Sequence, residues 1–139
     1  MAVTRRASAQ WNGSLLEGSG AVTLESSGIG TYAVSWPARS AEPNGVTSPE
    51  ELIAAAHATC FSMALSNGLA KAGTPPTQLN TAAEVDFQPG TGITGIRLTV
   101  SGDVPGLDAE GFRAAAEAAK VGCPVSQALK AVPITLTVL

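Results

Sequence analysis

The chain has 139 residues, of which 45% are hydrophobic and only 14% charged, with a formal net charge of −3 and a mean hydropathy of +0.21. This length corresponds to a single domain spanning 1–139, since domains typically hold about 100–150 residues. The negative balance, with the eight Lys and Arg residues in no stripe, argues against a nucleic-acid partner. So low a charge density implies that apolar surface is buried against another chain, most simply a second copy of this one. No run reaches the roughly 18 uninterrupted apolar residues of a membrane span, because His57, Thr59 and Ser62 break the segment from Leu52 to Leu65. No apolar core of a signal peptide follows Arg5 and Arg6. The expected location is the cytoplasm, where thiols are kept reduced.

The first third reads as strands. Arg6, Ser8 and Gln10 alternate with Ala7, Ala9 and Trp11, and runs at Ala21–Glu25 and Tyr32–Trp36 follow, parted by the turn residues of 26–30. Pro37 is expected to end the third strand, with a polar loop from Ala38 to Thr47. Ser48-Pro49-Glu50-Glu51 is a helix start, with Ser48 as N-cap, Pro49 at the first helical position and Glu51 closing a capping box. The helix should run to about Ala72 and stop at Gly73. It is apolar almost all round between Leu52 and Leu65, as in a helix covered on most sides.

Two strands, Thr81–Gln88 and Ile93–Gly102, form a hairpin about Pro89-Gly-Thr-Gly92. Asp108 caps an alanine-rich helix from Ala109 to Val121, Cys123-Pro124 opens a short helix to about Lys130, and Ile134–Val138 is a last strand. The order is that of an α+β fold with helices against an antiparallel sheet.

Two cysteines carry the sequence's chemistry, and they are unequal. Cys123 stands at a helix N-terminus, where free N–H groups and the helix dipole favour the thiolate. Cys60 lies within the long apolar helix, where burial raises a thiol pKa unless a cation reaches it. Taken alone, each reads first as a small buried hydrophobe. A permanent bridge between them would close a loop of about 63 residues and add roughly 4 kcal/mol, but a reducing compartment disfavours it. His57, three residues before Cys60, shares its helix face, which permits a Cys–His nucleophile pair as well as a purely structural histidine. No further ligands with recognisable spacing accompany them, so no metal site is expected.

The run Ser48-Pro-Glu-Glu-Leu-Ile-Ala-Ala-Ala-His-Ala-Thr-Cys-Phe-Ser-Met-Ala-Leu65 closely resembles the OsmC branch of the OsmC/Ohr peroxidase family, and Val121-Gly-Cys-Pro-Val-Ser-Gln-Ala-Leu129 resembles that family's second cysteine motif. Where the Ohr branch carries Gln, Phe and Gly-Tyr, this chain has Glu51, Ile53 and Ala56-His57. The resemblance implies an antiparallel sheet wrapped around a long central apolar helix, an intertwined homodimer, and reduction of organic hydroperoxides by preference, with hydrogen peroxide as a second substrate, without metal or cofactor. It implies that Cys60 is the attacking thiolate and Cys123 the thiol that resolves its sulfenic acid. It further implies that Arg39 activates Cys60, that Glu50 orients Arg39, and that a dithiol of the lipoyl type reduces the product disulfide.

Ten residues of straight helix separate the Cα atoms of Glu50 and Cys60 by about 15 Å. Arg39 and Glu50 are therefore expected to serve Cys60 of the partner subunit. Two other readings use the same residues: a non-enzymatic thiol redox sensor, and a Cys60–His57 hydrolase that lacks a third group to orient its histidine.

Overall fold

The computed structural model describes residues 1–139 and consists of two compact units, Met1–Glu50 and Glu51–Leu139. In the first, β1 (Ser8–Asn12), β2 (Ser19–Thr23) and β3 (Thr31–Val34) form an antiparallel meander. A short helix, α1 (Trp36–Ser40), stands where the sequence suggested only loop. The same proline supports both readings. Pro37 cannot continue a strand, but its fixed φ also suits the first turn of a helix, and Ser35 Oγ accepts the Ala38 N–H at 3.2 Å to cap it. This turn places Arg39 on a helix rather than on a free loop.

The long helix α2 (Pro49–Lys71) begins at the end of the first unit and runs through the second. It ends in a Schellman motif: Thr74 N–H donates to Leu69 O at 2.9 Å and Gly73 N–H to Ala70 O at 3.0 Å, with Gly73 at φ 89°. By length and mean hydropathy α2 is apolar enough to cross a membrane, which the sequence reading did not anticipate. Its stripe Phe61, Leu65 and Leu69, however, is fully enclosed in the core of the second unit, where a hydrocarbon environment is supplied by protein.

That core is built on β4 (Gln78–Gln88), β5 (Gly92–Asp103) and β6 (Ile134–Val138), with α3 (Ala109–Gly122) and α4 (Pro124–Ala128) between the last two strands. The period-2 alternation of β5 sends Ile96, Leu98 and Val100 inward to meet the α2 stripe and Phe112, Ala116 and Ala119 of α3. The opposite face carries Arg97, which pairs with Glu84 at 3.3 Å and with Asp86. Asp108 Oδ1 caps α3 by accepting the Gly111 N–H at 2.7 Å.

The class is α+β, as the sequence indicated. Strand direction differs in one place: β4 and β5 are antiparallel, whereas β6 runs parallel to β5, with Ile96 opposite Ile134. The cause is the connection. Helices α3 and α4 carry the chain back along the sheet before β6 enters, and such a crossover joins parallel strands where a hairpin cannot.

The expectation that α2 is covered on most sides also changes. Within one chain it buries one stripe, and Ala55, Ala56, Thr59 and Met63 are exposed, Met63 at 67%.

Candidate active site

The second unit brings the two cysteines together. Both are free thiols. Cys60 projects from the middle of α2 and meets the Cys123 thiol and the backbone of Val125 within hydrogen-bonding reach. Cys123 is at once the C-cap of α3 and the N-cap of α4, with its N–H on Ala119 O at 2.9 Å. It is fully enclosed, while Cys60 is half-buried. Cys60 borders a groove of about 770 Å³ that runs between α2 and α3 past Met63, Ala64, Ala115 and Ala119 to Lys71. Phe61, the next residue along α2, points into the core instead.

Burial pushes the Cys60 thiol above its ordinary pKa, and the neighbouring Cys123 pushes it further in the same direction. The Val125 backbone N–H acts against both, because a donor stabilises the thiolate. The sequence reading assigned this helix-start donation to Cys123. The structure gives it to Cys60, since the Cys123 side chain makes no capping hydrogen bond and the first turn of α4 faces across to α2.

One turn below lies a second contact between the same elements. His57 Nε2 is 2.6 Å from Ser126 Oγ, and both residues are buried. Burial holds the His57 imidazole below its ordinary pKa, which keeps it neutral. Its Nδ1 is enclosed without a hydrogen-bond partner. An orphaned buried polar atom costs about 1–3 kcal/mol. His57 therefore does not form the nucleophile pair with Cys60 that its helix spacing permitted.

The first unit holds the other two expected residues as a forked ion pair. Arg39 Nε donates to Glu50 Oε1 at 2.9 Å and to Oε2 at 3.2 Å, and Nη2 lies 2.9 Å from Oε1. Glu50 is buried while Arg39 keeps about a third of its side chain exposed, at 32%. The planar guanidinium suits this geometry, which lysine cannot reproduce. A guanidinium held in a fixed plane is a group that can stabilise a thiolate or a departing oxygen anion. No group of three His, Cys, Asp or Glu side chains gathers to hold a metal ion.

The structure thus joins Arg39 to Glu50 in the first unit and Cys60 to Cys123 in the second. Sequence reasoning missed the Val125 N–H and Ser126. A backbone donor leaves no mark in side-chain identities. Ser126 did leave one: it follows Cys123 by the same three positions that separate His57 from Cys60, so each cysteine has a hydrogen-bonding residue one helical turn away.

Comparison with known proteins is consistent over nearly the whole chain. Residues 42–137 match the family of OsmC-like proteins. Peroxiredoxin OsmC of Escherichia coli is 43% identical over 134 residues, covering 94% of this chain and 93% of that protein. Among solved structures, an organic hydroperoxide resistance protein OsmC from Legionella pneumophila superposes with a TM-score of 0.71 at 25% identity, covering 96% of both chains. An OsmC-like protein from Mycoplasma pneumoniae superposes at 0.76 with 13% identity, covering 100% of this chain and 98% of the other, which speaks to fold alone.

Proposed function

This chain belongs to the OsmC family, and from that premise we infer that it is a thiol-dependent peroxidase that reduces organic hydroperoxides. The observation that carries the reading is the pairing of a groove-facing Cys60 with an enclosed Cys123 in direct contact. The Cys60 thiolate attacks one peroxide oxygen, forming an S–O bond as the O–O bond breaks, and the alcohol leaves after taking a proton. Cys123 then attacks the Cys60 sulfur, forming the S–S bond and releasing the oxygen as water. A dithiol reduces that bridge by exchange and leaves as its own disulfide.

The enclosure of Cys123 suits a resolving role, because no peroxide need reach it. The alanine-lined groove beside Cys60 suits an alkyl chain better than a small polar peroxide. Hydrogen peroxide is then the poorer substrate. A lipoyl-type dithiol, itself a short apolar arm, is the reductant that the same groove favours. Two free thiols fit a reducing, cytoplasmic compartment.

Arg39 supplies the positive charge that Cys60 lacks, and Glu50 fixes the guanidinium plane. Because α2 is unbroken from Pro49 to Lys71, about 15 Å of helix separates Glu50 from Cys60 along its axis. The Arg39–Glu50 pair therefore serves Cys60 of the partner subunit in a homodimer. The exposed apolar face of α2, centred on Met63, supports such an assembly. Each chain is one OsmC-like domain over 1–139, completed by its partner. Steady-state rates for hydrogen peroxide and cumene hydroperoxide, each with a lipoyl dithiol, test the substrate class. The expected result is faster turnover of the bulky peroxide, and a preference for hydrogen peroxide contradicts it.

A further inference from the structure

We propose that the buried His57–Ser126 hydrogen bond is a positioning contact that holds the start of α4, and with it the Val125 N–H and the Cys123 thiol, against Cys60. The proposal rests on the thiol-peroxidase reading and deepens it by naming what sets the reactivity of the thiol pair.

Geometry carries the argument. His57 and Cys60 lie three residues apart on α2, and Cys123 and Ser126 lie three residues apart at the start of α4. The two contacts, His57–Ser126 at 2.6 Å and Cys60–Cys123, are thus successive rungs between the same two elements. Helix α4 is only five residues long, too short to hold its own conformation in water. Its other polar tie, Gln127 Nε2 to Val121 O at 2.5 Å, reaches back to α3 and does nothing to fix it against α2. Beside the contacts of Cys123 and Val125 with Cys60, the His57–Ser126 bond is the polar tie that does. Val125 is the residue immediately before Ser126, so any slip of the serine moves its N–H away from the Cys60 sulfur.

Stability alone does not account for this pair. The ring nitrogen left without a partner makes the pair a poor stabiliser, and replacing both members of a buried polar pair by apolar groups of similar shape is often neutral. What an apolar pair lacks is direction, and a buried hydrogen bond selects one arrangement among several that pack equally well. The disulfide step demands such selection. The two sulfurs must close to a bond of about 2.05 Å at a restricted dihedral angle, while the second rung stays fixed as the pivot.

The test separates positioning from stability. Ser126→Ala, Ser126→Thr and the double apolar replacement His57→Leu/Ser126→Ala are compared with wild type in a Cys123→Ser background, where Cys60 is the sole thiol. Iodoacetamide alkylation is followed against pH in the folded proteins. The groups facing Cys60 within the chain are residue 123 and the Val125 N–H, with Lys71 the cation of the groove, and in the proposed dimer Arg39 of the partner subunit, which is the same in every variant compared. Loss of the N–H contact removes a donor from the thiolate, so the midpoint rises. One pKa unit lowers the thiolate fraction, and with it alkylation at pH 7, about tenfold. This is expected for Ser126→Ala and equally for the double variant, which keeps a packed site if the single variant folds poorly. Ser126→Thr, retaining the hydroxyl, restores the wild-type profile. A midpoint unchanged in both Ser126→Ala and the double variant overturns the proposal. Alkylation uses no peroxide, so wild-type failure to turn over cumene hydroperoxide sinks the peroxidase reading separately.

Discussion

Val125 donates its backbone N–H toward Cys60, across the gap between α4 and α2, rather than toward Cys123 at the start of its own helix. The thiol that faces the groove thereby gains the donor, and the enclosed thiol goes without. A division of labour follows from this placement: Cys60 meets peroxide and Cys123 waits behind it.

Replacing Cys123 by Ser should stop the cycle after one attack. The Cys60 sulfenic acid then persists and is trapped by dimedone, whereas wild type yields the intramolecular disulfide. Mass spectrometry after one equivalent of cumene hydroperoxide distinguishes the two. A dimedone adduct on Cys123 in the Cys60→Ser variant, formed at the wild-type rate, reverses the roles.

Within one chain, burial and Cys123 both push the Cys60 thiol upward. A guanidinium brought alongside acts the other way, because it favours the charged form. Arg39→Ala should therefore raise the midpoint of Cys60 alkylation, so that less thiolate is present at pH 7. Arg39→Lys keeps the charge but loses the fork on Glu50, worth about 1.5–3 kcal/mol as a charge-assisted hydrogen bond. That corresponds to about a ten- to hundredfold fall in kcat/KM. Equal kcat/KM in wild type and Arg39→Lys removes the fork from the mechanism, and equal kcat/KM in wild type and Arg39→Ala removes Arg39.

The cross-subunit assignment has a complementation test. Cys60→Ser chains and Arg39→Ala chains are each inactive or crippled alone. In a mixed dimer, Cys60 of one chain meets Arg39 of the other, giving one intact site. Random exchange at equal amounts should restore about a quarter of wild-type turnover. No recovery after verified subunit exchange confines the site to one chain.

His57 makes stability depend on pH. Its imidazole is held below the ordinary value in the folded chain, so the unfolded chain takes up a proton that the folded chain refuses. Stability from this source is complete above about pH 6.5 and is lost as the pH falls below it, at up to about 1.4 kcal/mol per pH unit. Urea midpoints between pH 7.5 and pH 5 should fall in wild type and flatten in His57→Leu. Parallel slopes in the two proteins contradict this.

Phe61 is the largest fully enclosed side chain of the α2 stripe. Phe61→Ala should destabilise the protein by about 3–5 kcal/mol, whereas the exposed Met63→Ala should change the stability of a separated chain by less than about 0.5 kcal/mol. Denaturant unfolding of both variants measures the difference.

Much of this was legible in the residues. The Gly73 stop of α2, the Asp108 cap of α3 and the hairpin about Gly90 each follow from local backbone chemistry, and local chemistry is written in the sequence. The contact of Cys60 with Cys123 was legible as a family resemblance, not as a spacing. Three features were not legible. The direction of β6 depends on how α3 and α4 lie on the sheet. The α1 turn hinged on a proline that suits two structures. The inversion of Cys60 and Cys123 depends on where an N–H points, and that is set by the tertiary packing of α4 on α2.

The most direct measurement is steady-state consumption of cumene hydroperoxide with excess lipoyl dithiol by wild type and by Cys60→Ser. Many turnovers per chain in wild type and none in Cys60→Ser are predicted. Full turnover in Cys60→Ser, or a wild-type reaction that halts after one equivalent as a redox sensor would, contradicts a peroxidase built on Cys60.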